Sequence, residues 1–261
     1  LGEDVFMAVT FAEEIVRSTS GGLVASLGSL GIGLPPIAKW GSPEMKARVI
    51  PEVLRGEKIS ALAITEPSGG SDVANIRTRA VKDGDHYVVN GSKTFITSGV
   101  RADYYTVAVR TGGDGFGGVS LLLIEKGTPG FSVGRQLKKM GWWASDTAEL
   151  FFEDCLVPVG NLIGVENMGF ACIMANFQSE RLALAIMANM TAQMALEEAE
   201  RWARERQAFG KPIGKFQVLK HRLAEMATQV EVSREFTYRQ AAKMAAGKSV
   251  IKEISMAKNF A

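Results

Sequence analysis

The sequence predicts an α+β protein. An N-terminal helical part (residues 1–60) leads into a central antiparallel β-barrel or sandwich (61–160), and a C-terminal helix bundle follows (161–261). Three observations point there. Apolar residues recur at three- and four-residue spacing toward both ends of the chain. In the middle the period shortens to two, in short runs rich in β-branched and aromatic residues. Those runs follow one another without helical segments between them, which favours antiparallel pairing over a parallel sheet.

In the first part, Val5, Val9, Ala12, Ile15 and Val16 form one helical stripe, with Glu13 and Glu14 off it. Residues 18–33 are rich in Gly, Ser and Ala and suit close helix packing. Pro35 and Pro36 interrupt a helix, and Ser42 ahead of Pro43 and Glu44 reads as the cap of the next. In the middle, residues 61–64, 86–90, 93–97, 104–110, 119–125 and 149–152 read as strands. Asp83-Gly84 and Asn90-Gly91 read as hairpin turns. After Gly164 the helical period returns. Phe216, Leu219, Leu223, Met226 and Val230 spell a bundle seam, and Gly210 and Gly247 read as helix stops.

A net charge of +2 gives no reason to expect nucleic acid or an anionic membrane as partner. No uninterrupted apolar run approaches the length of a span, so none is expected. Cys155 and Cys172 lack a C-x-x-C spacing, and with two histidines they leave no metal-ligand set. Both read as small buried residues of a reducing compartment. The chain starts at Leu1, just ahead of a helical pattern, and stops at Ala261 inside another, so both ends read as cuts.

The most informative stretch is residues 63–75, Ala-Ile-Thr-Glu-Pro-Ser-Gly-Gly-Ser-Asp-Val-Ala-Asn. A short strand signal runs into small and hydroxyl residues whose backbone amides can approach a flat, polar ligand. Gly69 and Gly70 permit close contact, and Thr65 and Ser71 supply hydroxyls. Neither a P-loop nor a Rossmann fingerprint is present. On the residues alone, a cofactor-cradling loop and an ordinary glycine turn both stand. Further on, Phe170, Ile173, Phe177, Leu184 and Met187 share a helical face with Glu180. A carboxylate on an apolar stripe is costly unless paired or functional, and desolvation raises its pKa toward that of a general base near neutrality. Two other readings stand beside that one: Ser179 capping a new helix with Glu180 in its first turn, or Glu180 paired with Arg181 or another cation. Residues 206–211, Arg-Gln-Ala-Phe-Gly-Lys, read by themselves as a helix C-terminus. Trp142 and Trp143 read as packing or pocket residues.

The order T-E-P-x-G-G-S-D after a strand, followed by K-T-F-I-T-S-G, resembles the flavin-binding segment of the acyl-CoA dehydrogenase family. Asn75 departs from the small residue usual at its position. The α, β, α order is the family's architecture too, so the resemblance covers nearly the whole chain. It implies FAD-dependent conversion of a saturated acyl-CoA thioester to the trans-2-enoyl form, a carboxylate removing the α-proton while the β-hydride goes to the flavin. By the same resemblance Leu62, Ile64, Thr65, Gly70 and Ser71 line the flavin. Phe95, Ile96 and Thr97 lie beside its ring, Phe95 standing where the family usually has tryptophan. Arg206, Phe209 and, more weakly, Gln217 match residues that reach the diphosphate and adenine, often from a neighbouring subunit.

Glu180-Arg181-Leu182 matches the placement of the catalytic glutamate in the long-chain and isovaleryl enzymes, and residues 139–154 are similar to the long-chain branch. Ser71 and Arg181 would help hold the acyl-CoA. The resemblance also implies an electron-transfer flavoprotein as acceptor and a homodimer or homotetramer. The location would be the cytoplasm of a bacterium or the mitochondrial matrix of a eukaryote. Much of the family's N-terminal helical domain, and the glycine-rich segment and helices that follow the position of Ala261, are not in the sequence. Two further readings fit these residues: an oxygen-using relative such as an acyl-CoA oxidase, and a non-catalytic scaffold or CoA-binding module.

Overall fold

A computed structural model of the chain describes residues 4–261. The chain divides into two compact units, one formed by Gly21–Phe177 and one by Leu1–Ser20 with Gln178–Ala261. The Gly21–Phe177 unit holds helices α2 (Gly21–Gly28), α3 (Leu30–Gly33), α4 (Pro35–Trp40) and α5 (Pro43–Leu54). Its strands are β1 (Ser60–Ala63), β2 (Arg79–Asp83), β3 (His86–Thr97), β4 (Tyr104–Arg110), β5 (Val119–Glu125), β6 (Phe131–Gln136), β7 (Thr147–Pro158) and β8 (Leu162–Ile163). The other unit holds α1 (Val5–Val16), most of α6 (Gly169–Glu205), the two-residue strands β9 (Gln207–Ala208) and β10 (Lys211–Pro212), α7 (Gln217–Ala245) and α8 (Ile251–Phe260).

The eight strands of the Gly21–Phe177 unit form one sheet in the order β6-β7-β3-β2-β4-β5-β8, with β1 beside β4. The sheet is mixed, which corrects the expectation of purely antiparallel pairing. β4 runs parallel to β1 from Ser60↔Tyr104 to Ala63↔Val107, and parallel to β2 at Arg79↔Arg110. The reason is the connection: the β2–β3 hairpin intervenes between β1 and β4, so the chain returns to β4 in the direction it left β1.

β4 and β5 are buried on both faces. Tyr105, Val107, Val109, Leu122 and Ile124 pack with Tyr87, Leu150 and Phe152. Tyr104, Ala108, Leu121 and Leu123 turn the other way, onto Ile37, Met45, Val49 and Ile173. Two-sided burial explains why both strands read as apolar runs rather than alternating ones.

Ser42 caps α5 as expected, accepting from Met45 N at 3.1 Å, with Pro43 in the first turn. Pro35 opens α4 instead of only breaking a helix, because the first turn has no intrahelical use for its missing N–H. Asp83-Gly84 does precede a hairpin, with Gly84 at φ 58° and Asp83 paired with His86. Asn90-Gly91 does not. β3 runs through it, and the register shifts between Val89 and Gly91 to give a bulge. Gly91 sits at φ 145°, where a Cβ would come within 2.7 Å of Thr78 Cα. Asn90 spans the strands instead, accepting from Asp154 N at 2.9 Å and donating to its carboxylate at 3.0 Å.

The expectation about apolar runs also needs correction. The helical stretch Gly21–Trp40 has the length and mean hydropathy (1.4) of a membrane span, the one such stretch among the described residues. Its glycines, serines and prolines disguise the near-absence of charge. It is divided into α2, α3 and α4, and 39% of its most apolar window is buried.

In the other unit, Val9 and Ala12 of α1 pack with Leu182 and Ile186 of α6, Ala241 of α7 and Ile254 of α8. The seam expected from Phe216 to Val230 is displaced along α7. Met226 is exposed, and the buried positions are Val230, Ser233, Thr237, Gln240 and Ala241. A polar cluster lies there: Ser233 Oγ donates to Asn189 Oδ1 at 2.5 Å, and Asn189 Nδ2 to Thr237 Oγ1 at 3.0 Å. Small polar residues that satisfy one another bury as well as leucines do, and an apolar periodicity passes over them. Both cysteines are free and buried.

The doubly covered strands should dominate the stability of the sheet-bearing unit. Leu122→Ala, at a fully buried position, is expected to cost about 2–5 kcal/mol in denaturant unfolding. Val81→Ala, on the exposed side of β2, should stay within about 0.5 kcal/mol of wild type.

Candidate functional site

Beyond β1 the chain turns back on itself at Glu66 and Gly69, which exchange backbone hydrogen bonds of 3.1 and 3.0 Å. Thr94 N donates to Thr65 O at 2.9 Å, so this loop is stitched to β3 outside the regular sheet ladder. Beneath it lies a buried ion pair, Lys93 Nζ to Glu66 Oε1 at 2.8 Å, with side chains 0% and 3% exposed. Glu66 also accepts from Thr78 N at 2.9 Å and Arg77 N at 2.6 Å, while Lys93 donates to Ile64 O at 3.0 Å. Burial pushes the Glu66 carboxyl up, but the Lys93 ammonium and the two backbone donors outweigh it and hold the group at about 2. Burial lowers the Lys93 ammonium to about 8 against the pull of Glu66. With three donors on one carboxylate, the ionised state of Glu66 is the firm side of the pair.

The next feature of β3 is a second bulge. Between the pairs Lys93↔Leu150 and Ile96↔Ala148, β3 takes three steps where β7 takes two. Phe95 lies in this bulge at φ 59°, 67% exposed, while Ile96 turns into the core. Ser98 has φ 60°. Left-handed backbone at non-glycine residues persists only where the surroundings hold it. Here Ser98 N donates to Asp146 O at 3.0 Å and Ser98 Oγ to Ser29 Oγ at 3.0 Å. The Asp146 carboxylate accepts from Val100 N at 2.7 Å and Arg101 Nε at 2.6 Å.

The Gly21–Phe177 unit therefore brings eight predicted residues onto two stitched segments: Leu62, Ile64, Thr65, Gly70 and Ser71, and Phe95, Ile96 and Thr97. Their side chains differ in what they offer. Ile64 and Ile96 are core residues, so only their backbone faces a ligand, and Leu62 packs half-buried against the helix-side core. Gly70 and Ser71 are exposed, Thr65 and Thr97 half-buried. A Cβ on Gly70 would press on Thr65 Cγ2 at 3.2 Å.

Two basic residues that the sequence reading passed over lie beside the loop. An open cleft of about 770 Å³ is lined by Ser68, Gly69, Asp72, Arg77, Arg79 and Arg110, among others. Arg110 is spent on backbone carbonyls, among them Ile76 O at 2.9 Å and Ala74 O at 2.6 Å. Arg77 and Arg79 are exposed. The signal was present in Arg77-Thr78-Arg79, where alternation at the start of a strand puts both guanidinium groups on one side. Trp142 and Trp143 are both more than half exposed, so neither is a core residue.

Glu180 and Arg181 lie within α6. The helix is continuous from Gly169 to Glu205, which removes the reading of Ser179 as the cap of a new one. Glu180 is half-buried, and burial raises its carboxyl to about 7, with Arg181 pulling the other way. Arg206 follows the end of the helix, and Gln217 is the first residue of α7. Gly210 does not stop the helix. With Phe209 at φ 51° and Gly210 at φ 74°, it forms the two-residue turn between β9 and β10, the positive-φ pair of a tight hairpin. Phe209 stands 94% exposed at that turn. At 1.5 Å per residue, Glu180 and Arg206 are separated by roughly 39 Å of helix, so the structure does not bring them together.

The sequence matches the family models described as acyl-CoA dehydrogenase N-terminal domain (residues 1–57), middle domain (61–155) and C-terminal domain (167–261). An acyl-CoA dehydrogenase of Bacillus subtilis (strain 168) is 40% identical over 262 residues, covering 100% of this chain and 69% of the relative. A solved probable acyl-CoA dehydrogenase from Mycobacterium abscessus superposes with a TM-score of 0.95 at 53% identity, over 98% of this chain and 68% of that one. The structure described as the FAD complex of PigA superposes with a TM-score of 0.94 at 32% identity, over 98% of this chain and 68% of that one. The chain thus spans a little over two thirds of each of these relatives. With the three domain models in order along it and the same backbone in the solved relatives, the chain belongs to the acyl-CoA dehydrogenase family.

Proposed function

We propose that this protein catalyses the FAD-dependent α,β-dehydrogenation of an acyl-CoA thioester to its trans-2-enoyl form, with Glu180 as the base. The observation that carries the reading is Glu180 itself, a carboxyl on an apolar helix face that burial raises to about 7. A group so tuned is ionised at neutral pH yet basic enough to accept a proton from carbon beside a thioester carbonyl. Arg181 next to it opposes the rise and keeps the carboxylate accessible.

The stitched segments fit a flavin. Phe95, thrown outward by the bulge, supplies an apolar wall for a flat ring. Thr65, Thr97 and Ser71 supply hydroxyls, and the glycine-containing backbone at 69–70 admits close approach. Arg206, Phe209 and Gln217 would meet the diphosphate and adenine. Their distance from Glu180 along one helix supports a site completed by a neighbouring subunit, in a homodimer or homotetramer. Bound FAD would supply the acceptor for the β-hydride, and an electron-transfer flavoprotein would reoxidise it. Glu180 removes the α-proton, Arg181 and Ser71 hold the thioester, and Arg77 and Arg79 take the phosphates of CoA in their cleft. Placement of the base on this helix favours a long-chain or branched acyl group.

Purified protein should be yellow and should bleach anaerobically when acyl-CoA is added. Glu180→Gln should retain FAD and lose about 10²–10⁴-fold in the reductive rate, whereas undiminished bleaching would move the base elsewhere. Rapid peroxide formation in air would instead favour the oxygen-using reading. The rate should rise with pH through about 7 as Glu180 ionises. The folded pKa lies above the ordinary carboxylate value, so wild-type stability should fall as pH climbs from about 4.5 to 7, a slope that Glu180→Gln lacks in urea titrations. Replacing Arg77 and Arg79 together by alanine should raise KM for acyl-CoA about tenfold, the loss expected when one charge-assisted contact goes. KM for the pantetheine thioester, which lacks the nucleotide phosphates, should not change.

A further inference from the structure

The chemistry above makes no use of the pair between Glu66 and Lys93, the most deeply buried ion pair of the Gly21–Phe177 unit among the described residues. We propose that this pair is the positioning device of the flavin site, an inference that rests on the flavin reading of residues 62–71 and 95–97 given above. It fixes the first segment against the second, and its neutrality sets the electrostatic field in which the flavin is held.

The geometry supports both parts. Glu66 belongs to the loop, and its carboxylate is bonded to the backbone of Arg77 and Thr78, where the chain re-enters the sheet. Lys93 belongs to β3, two residues before Phe95, and reaches across to the Ile64 carbonyl one residue before Thr65. Two groups thus hold four stretches of backbone. Thr94 N to Thr65 O at 2.9 Å lies directly beside them. Stability alone gives little reason for charges here, since apolar residues of equal volume commonly serve a core as well as a buried ion pair does. What an apolar pair does not provide is a fixed geometry with every donor assigned, or two opposite charges that cancel near a redox ring.

Neutrality gives the test its sign. Lys93→Met leaves an uncompensated anion, which disfavours electron entry into a nearby flavin. Glu66→Gln leaves an uncompensated cation, which favours it. In the whole protein at pH 8, each single variant should bind FAD about tenfold more weakly or worse, as read by flavin fluorescence. Spectroelectrochemical titration should show the midpoint potential of bound flavin falling in Lys93→Met and rising in Glu66→Gln. The double variant, neutral again, should return the potential toward wild type. If one single variant fails to fold by thermal melting, the other single and the double carry the same comparison.

Potentials that stay put, or that move in the same direction in both singles, overturn the inference while leaving the site reading intact. A wild-type protein that takes up no FAD overturns the site reading and the inference with it.

Discussion

A charge taken out of water must have its hydrogen bonds supplied by the fold, and supplying them fixes everything bonded to it. Glu66 and Lys93, 27 positions apart, place that demand at the junction of the loop after β1 and the end of β3. Meeting it sets the position of Ile64, of the turn at Arg77 and Thr78, and of the strand that carries Phe95. The loop at 67–72 is exposed along its length. Its precision therefore comes from the carboxylate buried at its base and not from packing of its own side chains. A mobile-looking surface loop is in this way held to a rigid scaffold at one point, leaving its amides and hydroxyls free for a ligand.

The two bulges of β3 serve the same end by other means. At Gly91 the bulge keeps a twelve-residue strand paired with β7 while bringing its backbone against Thr78. At Phe95 the bulge reverses a side chain that simple alternation would have aimed inward. Its left-handed backbone has a cost, and the neighbouring Asp146 network with Ser98, Val100 and Arg101 over-determines the conformation. An aromatic residue forced outward into solvent by strained backbone makes sense only where something flat is to lie on it.

Much of this was legible in the sequence, and the parts that were not have identifiable causes. The helical stripes, the cap at Ser42, the strands and the carboxylate on an apolar helix face follow from local periodicity and turn chemistry. The parallel pairing of β4 with β1 was hidden because it depends on which strands meet across a crossover, a non-local fact. Asn90-Gly91 and Gly210 carried correct signals for positive φ, yet the partner strand decided between bulge, hairpin and helix stop. The seam of α7 was misplaced because its buried face is polar, and apolar periodicity cannot find serine and threonine that satisfy each other. Lys93 passed as an ordinary lysine, since nothing local distinguishes a buried cation from an exposed one.

Two glutamates with identical side chains show how environment divides the work. Glu66 and Glu180 are both withdrawn from water, and burial alone would raise both. At Glu66 an ammonium and two backbone N–H groups reverse that effect and hold the carboxyl at about 2. At Glu180 burial prevails over the neighbouring guanidinium and leaves it at about 7. A carboxylate at 2 is ionised at every physiological pH and is too weak a base to accept a proton from carbon. One at 7 can both exist as the base and hold the proton it takes. The split in environment therefore assigns the roles: Glu66 can only hold structure and charge in place, and Glu180 is left as the group able to move a proton.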